Sequence, residues 1–543
     1  LARGEPPRPR VVYLRGDSGQ GKSRLLRRFR EQLRAEPCVV LRGRCREREA
    51  VPYKGVDALI DALSTFLLRR TAAELERLRP RSLGALTQVF PVLDELWPPA
   101  STEGAAISAT SATHLRPREL RGASWAALRQ LLGAIAQEQA LVLMIDDLHW
   151  ADLDSVCLLH ELLASPGAPP LLLVLSMRDA PGDAEVRDAL AASEVLDPAR
   201  ATVIELGPLS GPEAQALATA LAREEQAEHV RGQAWAERVA LRCAGNPLFI
   251  VQSVLGTATA ADDEDLHACV ARHLEGLEPA ARRLLEVVAI CGAPMALELA
   301  LTLAPGAREA DARTLRERGL LVTGSSEGAA ERVDTAHDRI REVALARLDP
   351  KVRAELHAAL GAALLARCEG PPRGESLLRI ADQLDASVLD RDTLSDTRRL
   401  ELARLDLEAG EWAIEATTPA LARIYFERGW QLVRPWLAAA QSGSGPHHVL
   451  CLALALGRAR SARTVDEANA IYEGLLRWTL APSDYAGLVV EAMLSLADAA
   501  KVSEALALGE GALRDLGVRL PRFGALPWAL WHVWWGRRRL ATL

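Results

Sequence analysis

Val11-Val-Tyr-Leu14-Arg15-Gly16-Asp17-Ser18-Gly19-Gln20-Gly21-Lys22-Ser23-Arg-Leu-Leu26 decides the fold. A short apolar run meets a full G-x-x-x-x-G-K-S pattern and passes into apolar spacing at Leu25, Leu26, Phe29 and Leu33, so the order reads strand, loop, helix. Glycines in such a loop let successive amide N–H groups turn inward, where they cradle phosphate oxygens at the positive end of the helix. Gly16, Asp17, Ser18, Gly19, Gln20, Gly21, Lys22 and Ser23 are therefore the candidate phosphate-binding residues. Lys22 is placed to reach the β- and γ-phosphates of a nucleotide, and the Ser23 hydroxyl to ligate Mg²⁺. A glycine-rich turn that matches by chance is the competing reading. The flanking strand and helix, and a lysine where lysine is rare, weigh against it.

Working outward, further apolar runs at Cys38–Leu41, Leu141–Ile145, Leu171–Leu175 and Thr202–Leu206 read as strands covered on both faces, the signature of a parallel α/β sheet. The run Leu141-Val-Leu-Met-Ile145-Asp146-Asp147 ends in two carboxylates. Asp146 is the candidate Mg²⁺ ligand and Asp147 the general base that polarises an attacking water; two solvated acids in a strand-to-loop turn are the competing reading, against which the phosphate loop upstream weighs. Arg178 follows the fourth strand, where it can approach the γ-phosphate, or simply be one more strand-end arginine. His149 and Trp150 either touch this site or pack the loop.

Between the second and third strands, helical patterns at Val56–Leu68 and Trp125–Ile135 flank Pro98–Arg118, too poor in apolar residues to pack and expected to be a loop. Ser210-Gly-Pro-Glu213 carries a capping-box pattern opening a small helical lid that ends near Gly245-Asn-Pro247, itself either a lid closure or an ordinary helix stop. From about Leu266 to Leu348 the order of helices, Leu320–Thr323, a Gly-Ser-Ser loop and Glu331–Thr335 is that of a winged helix, followed by His337-Asp338 at a helix start. From Lys351 the chain is Ala- and Leu-rich with helical spacing, as in Leu400–Leu407, Leu421–Leu432 and Tyr485–Ala500, and reads as stacked helical pairs of tetratricopeptide-like kind, though without a clean 34-residue period. The expected division is 1–206 P-loop core, 207–262 lid, 263–348 winged helix and 349–543 helical repeats.

Composition limits the alternatives. At 543 residues the chain exceeds one hydrophobic core, and its net charge of -7 leaves no basic footprint for direct nucleic-acid binding. Of 65 basic residues only Lys22, Lys54, Lys351 and Lys501 are lysines, leaving 61 arginines, so Lys22 stands out and no single arginine does. Eight cysteines without a C-x-x-C pair fit reduced thiols and no structural metal. No stretch reaches the ~18 to 20 apolar residues of a membrane span, and a cytoplasmic protein is expected. Trp528, Trp531, Trp534 and Trp535 read as the buried face of a helix, with a membrane-surface helix as the alternative. A start at Leu1, almost inside a strand, is expected for a fragment of a longer polypeptide.

The stretches Arg15–Ser23, Gly43-Arg-Cys-Arg-Glu-Arg-Glu49 with Val51-Pro-Tyr53, Ile145-Asp-Asp-Leu-His-Trp-Ala-Asp152, Gly245-Asn-Pro-Leu-Phe249 and Ala336-His-Asp-Arg-Ile-Arg341 together resemble the AAA-like ATPase module of STAND signalling proteins, as found in large bacterial kinases and regulators. The resemblance implies ATP and ADP as ligands with Mg²⁺, and slow hydrolysis that sets conformation. It gives Pro247 the adenine and His337 the ADP β-phosphate. It also implies protein partners on the helical repeats and a nucleotide-dependent oligomer. A base-binding segment usual before the first strand is missing, and no His-Arg-Asp or Asp-Phe-Gly kinase motif occurs. The rival readings are a nucleotide-bound scaffold without turnover, and the regulatory part of a transcription activator or protein kinase.

Overall fold

A computed structural model describes residues 8–46, 51–97, 116–164, 166–178, 184–224, 232–255, 271–272, 274–324, 331–443 and 445–518. The chain divides into two compact units, residues 1–394 with 412–421, and 395–411 with 422–543.

In the first unit β1 (Arg10–Arg15), β2 (Cys38–Arg44), β3 (Ala140–Asp146), β4 (Leu171–Met177) and β5 (Thr202–Glu205) form one sheet in the order β2-β3-β4-β1-β5, every neighbouring pair parallel. All five expected strands are present, most of them a little longer than their apolar runs. Successive side chains alternate between two cores, as the pleat requires. Tyr13, Leu41, Leu143 and Leu173 join the larger cluster with helices α2 (Asp57–Leu67), α3 (Pro117–Glu138) and α4 (Leu153–Ala164). Leu14, Val142, Met144 and Val174 face the other way, onto Leu26 of α1 (Lys22–Leu33). Because β4 lies between β1 and β3, with Leu14 level with Ser176 and Ile145 level with Leu175, the carboxyl ends of the three strands lie side by side.

One departure has a local cause. Helix α3 starts at Pro117, inside the expected loop and a full two turns before Trp125, because Pro fits the first helical turn and the Glu119 carboxylate accepts the Arg116 N–H at 3.1 Å. The remainder of the expected loop, 98–115, lies outside the described residues.

The lid consists of α5 (Gly211–Glu224), α6 (Gln233–Arg242) and α7 (Pro247–Leu255) around Ala214, Ala218, Val239, Ile250 and Val254. At its start Glu213 accepts both the N–H and the hydroxyl of Ser210, at 2.9 and 2.6 Å. Then come α8 (Pro279–Cys291), β6 (Met295–Ala296), α9 (Leu297–Leu303), α10 (Glu309–Glu317), β7 (Leu321–Gly324), β8 (Arg332–Thr335) and α11 (Asp338–Ala346), with β6-β8-β7 an antiparallel sheet. This is the winged-helix order. Two-residue β6 is too short to show alternation and escapes the sequence. Helices α12 (Pro350–Ala366) and α13 (Gly374–Ala386) complete this unit and approach closely where Gly361 meets Leu384.

The second unit is helical. It draws on α14 (Asp396–Glu415) and α15 (Pro419–Val433) and continues through α16 (His448–Arg460), α17 (Val465–Leu475), α18 (Pro482–Asp498) and α19 (Val502–Asp515). From α16 on, each helix packs on the next. The Phe426 ring lies against Gly410 and Gly457, which have no side chain to hold it off. The four expected tryptophans of the tail lie outside the described residues. No helix among the described residues is long and apolar enough to cross a membrane.

Candidate nucleotide site

The loop between β1 and α1 has Gly19 at φ 86° and Gly21 at φ 93°, in the left-handed region that costs a residue with a Cβ. At Gly19 space forbids a side chain as well, since a Cβ would lie 2.7 Å from Asn246 Oδ1. Lys22, 6% exposed, donates its ammonium hydrogens to the main-chain oxygens of Gly16 (2.7 Å) and Asp17 (2.9 Å). Burial lowers its pKa, Asp147 and Asp146 oppose that, and Arg178 adds to it. The Gln20 side-chain oxygen accepts the Asp17 N–H at 2.7 Å, bracing the loop. Helix α1 begins without a side-chain cap and without an acidic residue in its first turn, which keeps its positive end clear for an anion.

Opposite the loop, Asp146 is fully buried. The Ser176 hydroxyl donates to its Oδ1 at 2.6 Å and accepts the Asp147 N–H at 2.8 Å, so one serine of β4 orients both members of the acidic pair. Arg42 approaches Asp146 Oδ2 at 3.4 Å, and Arg44 Nε donates to Asp147 Oδ2 at 3.0 Å. Asp147 has φ 59°, a left-handed turn that Asp tolerates better than most residues and that ends the strand at the acidic pair. Burial and the neighbouring Asp146 push the Asp147 carboxyl up to about 6, against the pull of Arg44.

Arg178 is 9% exposed and is held by the winged helix, Nη2 on Asp338 Oδ2 at 2.7 Å and Nη1 on Glu342 Oε1 at 3.0 Å. Arg44 reaches the other oxygen of Asp338 at 3.7 Å. Burial alone would raise the Asp338 pKa, but Arg44 and Arg178 outweigh it and hold the carboxyl low. Arg341, fully buried, pairs with Asp334 at 2.7 Å and Asp338 at 3.8 Å. His337 caps α11, its Nδ1 accepting the Arg339 N–H at 3.1 Å, and burial takes its pKa down to about 4. The lid also closes on the loop: Asn246 Nδ2 donates to Ser18 O at 3.1 Å, and the Leu248 N–H to Gly19 O at 3.2 Å.

The structure thus brings Gly16–Ser23, Asp146, Asp147, Arg178, Pro247 and His337 into one neighbourhood. Ser23 and Asp146 supply oxygens that suit Mg²⁺ shared with substrate phosphates, and the loop suits those phosphates. Sequence reading did not assign a role to Arg44, Ser176, Asn246 or Glu342. Arg44 is one of 61 arginines and Ser176 a single hydroxyl in the apolar run Leu-Leu-Leu-Val-Leu-Ser-Met. Register with Asp146 singles out Arg44 only once the strands are paired.

Residues 1–174 match the family model of the AAA ATPase domain. That stretch is similar to AAA ATPase domains. The chain is 29% identical over 210 residues to an uncharacterised protein of Rhizobium meliloti (strain 1021), a match covering 37% of this chain and 18% of that protein's length. Among solved structures, a signal transduction ATPase with numerous domains and a tetratricopeptide repeat sensor from Pyrococcus horikoshii is 12% identical, covering 93% of this chain and 74% of the other at TM-score 0.41. A Walker-type ATPase of Pyrococcus abyssi is 16% identical over 62% of this chain and 91% of that one, at TM-score 0.29. The ORC2 protein of Aeropyrum pernix, solved as ADPNP–ADP complexes, is 13% identical over 63% of this chain and 88% of that one, at TM-score 0.25.

Proposed function

We propose that this chain is an ATP- and ADP-binding switch with slow, Mg²⁺-dependent hydrolysis, its nucleotide state controlling the helical region that contacts protein partners. The observation that carries the reading is the engagement of Arg178 by Asp338 and Glu342 of the winged helix. An arginine at the end of β4, beside Lys22 and the acidic pair, is placed to meet a γ-phosphate. While two carboxylates hold it, the site favours a nucleotide without that phosphate. ADP therefore stabilises the closed arrangement, and ATP competes for Arg178 and opens it.

In this reading Gly16–Ser23 bind the phosphates and Ser23 and Asp146 hold Mg²⁺. Bound Mg²⁺ neutralises charge on the transferred phosphoryl group. Lys22 bridges the outer phosphates, Asp147 orients and deprotonates the attacking water, Pro247 meets the base and His337 the β-phosphate. Turnover is slow because Arg44 occupies Asp147 and Asp338 occupies Arg178. We further assign the chain to the cytoplasm, with the boundaries 206, 262 and 348 between its parts and a nucleotide-dependent oligomer as its active form.

The test is the affinity for ADP and for ATP before and after Asp338→Ala. Loss of ADP preference supports the switch; an unchanged ratio refutes it. The pairing of Arg44 with Asp147 also favours a second reading, a nucleotide-bound scaffold without turnover. Asp147→Asn decides between them: it abolishes phosphate release in the first case and changes no cellular output in the second.

A further inference from the structure

Two residues beyond the acidic pair, a short turn, Leu148–Trp150, carries a side chain that none of the assignments above uses. It is pinned by the Trp150 N–H on Asp147 O (3.0 Å) and the Ala151 N–H on Leu148 O (2.8 Å). His149 on this turn is 7% exposed, and neither ring nitrogen has a hydrogen-bond partner. The Trp150 ring lies against it, centroids 5.0 Å apart.

Buried polar atoms in folded proteins nearly always find a partner, and one with none is an exception that needs an explanation. Both nitrogens of one ring are in that position here. The charged groups that act on this ring come from every wall of the candidate site: Lys22 from the phosphate loop, Asp146 from β3, Arg178 from β4 and Asp338 from the winged helix. Lys22 is satisfied by main-chain oxygens, Asp146 by Ser176 and Arg42, and Arg178 by Asp338 and Glu342. Within this set His149 alone keeps its full hydrogen-bonding capacity. Burial and the nearby arginine hold the imidazole neutral, so it offers one N–H donor and one acceptor.

We propose that His149 is a nucleotide-sensing residue whose N–H donates to an oxygen of the terminal phosphate of ATP, a group that ADP does not have. The assignment rests on the switch reading above and deepens it. The γ-phosphate meets a preformed donor at His149 before Arg178 is released, so recognition of ATP does not require the winged helix to open first. His149 then distinguishes the two nucleotides in the closed state, and Arg178 in the open one.

The experiment is calorimetric titration of the 543-residue chain with Mg²⁺ and either ADP or the β,γ-imido analogue of ATP, for the parent, His149→Leu and His149→Gln. The leucine keeps the bulk and removes the donor, whereas the glutamine keeps an N–H. A hydrogen bond to a charged group predicts that His149→Leu binds the imido analogue roughly ten- to a hundredfold more weakly, with ADP affinity held within about twofold, and that His149→Gln recovers part of the loss. Equal losses for both nucleotides, or none, overturn the assignment while leaving the switch intact. A parent chain that binds neither nucleotide overturns both. If the leucine variant does not fold, His149→Phe takes its place, since it keeps a ring against Trp150 and removes both nitrogens: a loss confined to the imido analogue upholds the donor, and an equal loss for both nucleotides, or none, overturns it.

Discussion

Removing Asp338 probes the connection between the acidic pair and the winged helix. In Asp338→Ala, Arg178 loses its 2.7 Å partner and Arg44 its 3.7 Å partner. Breaking a buried ion pair costs about 3 to 5 kcal/mol when the remaining charge is uncompensated. Here Arg178 keeps Glu342 at 3.0 Å and Arg44 keeps Asp147 at 3.0 Å, so the expected cost falls to about 2 kcal/mol. The pairwise share is isolated by a double-mutant cycle of Asp338→Ala and Arg178→Ala, followed by denaturant unfolding of the first unit's fluorescence signal. We expect a coupling of about 1 to 2 kcal/mol, because deleting both charges relieves the penalty that either deletion leaves. Additivity within about 0.3 kcal/mol would refute the claim that these residues lock the arrangement.

Two further predictions concern the turn at Ala416–Leu421, which belongs to the first unit. Tyr53 donates its buried hydroxyl to Thr417 O at 2.9 Å and lies 2.8 Å from Thr417 Oγ1, so Tyr53→Phe strands a buried carbonyl and should cost about 1 to 3 kcal/mol in thermal unfolding; no change would mean water replaces it freely. Asp154 accepts the Ala420 and Leu421 N–H groups at 3.0 and 3.3 Å, yet burial and Asp152 push its carboxyl up to about 7. A folded-state pKa above the unfolded one means the folded chain binds the extra proton, so its contribution is complete below pH ~4 and is lost as pH rises to about 7, by up to about 4 kcal/mol. Asp154→Asn should flatten that slope in stability measured against pH, and an unaltered slope would assign it to other groups.

How legible all this was in the sequence follows from the range of the forces involved. The glycine-rich loop between a strand and a helix, the strand into Asp146-Asp147 and the Ser210–Glu213 cap are local patterns, and the structure has each of these elements. Winged-helix strands β7 and β8 were visible because they are bounded by a Gly-Ser loop, whereas β6 has two residues and no pattern. Arg178 directly follows β4, but its partners are 160 and 164 residues away, and no spacing rule connects them. The role of Ser176 depends on β4 lying between β1 and β3, a consequence of sheet order rather than of its neighbours in the chain. Likewise nothing local in the sequence marks Asp154 as the acceptor of the Ala420 and Leu421 N–H groups, 266 and 267 residues downstream in the same unit.

The central claim, that Gly16–Ser23 bind a nucleotide whose state is coupled to the fold, is tested most directly by thermal unfolding with Mg²⁺-ATP and Mg²⁺-ADP, for the parent chain and for Lys22→Ala. Ligand at about 100 times its Kd adds about 2.7 kcal/mol to the folded state. The account predicts a stabilisation that disappears in Lys22→Ala and is larger with ADP than with ATP. An equal shift in both proteins, or no shift in the parent, would contradict it.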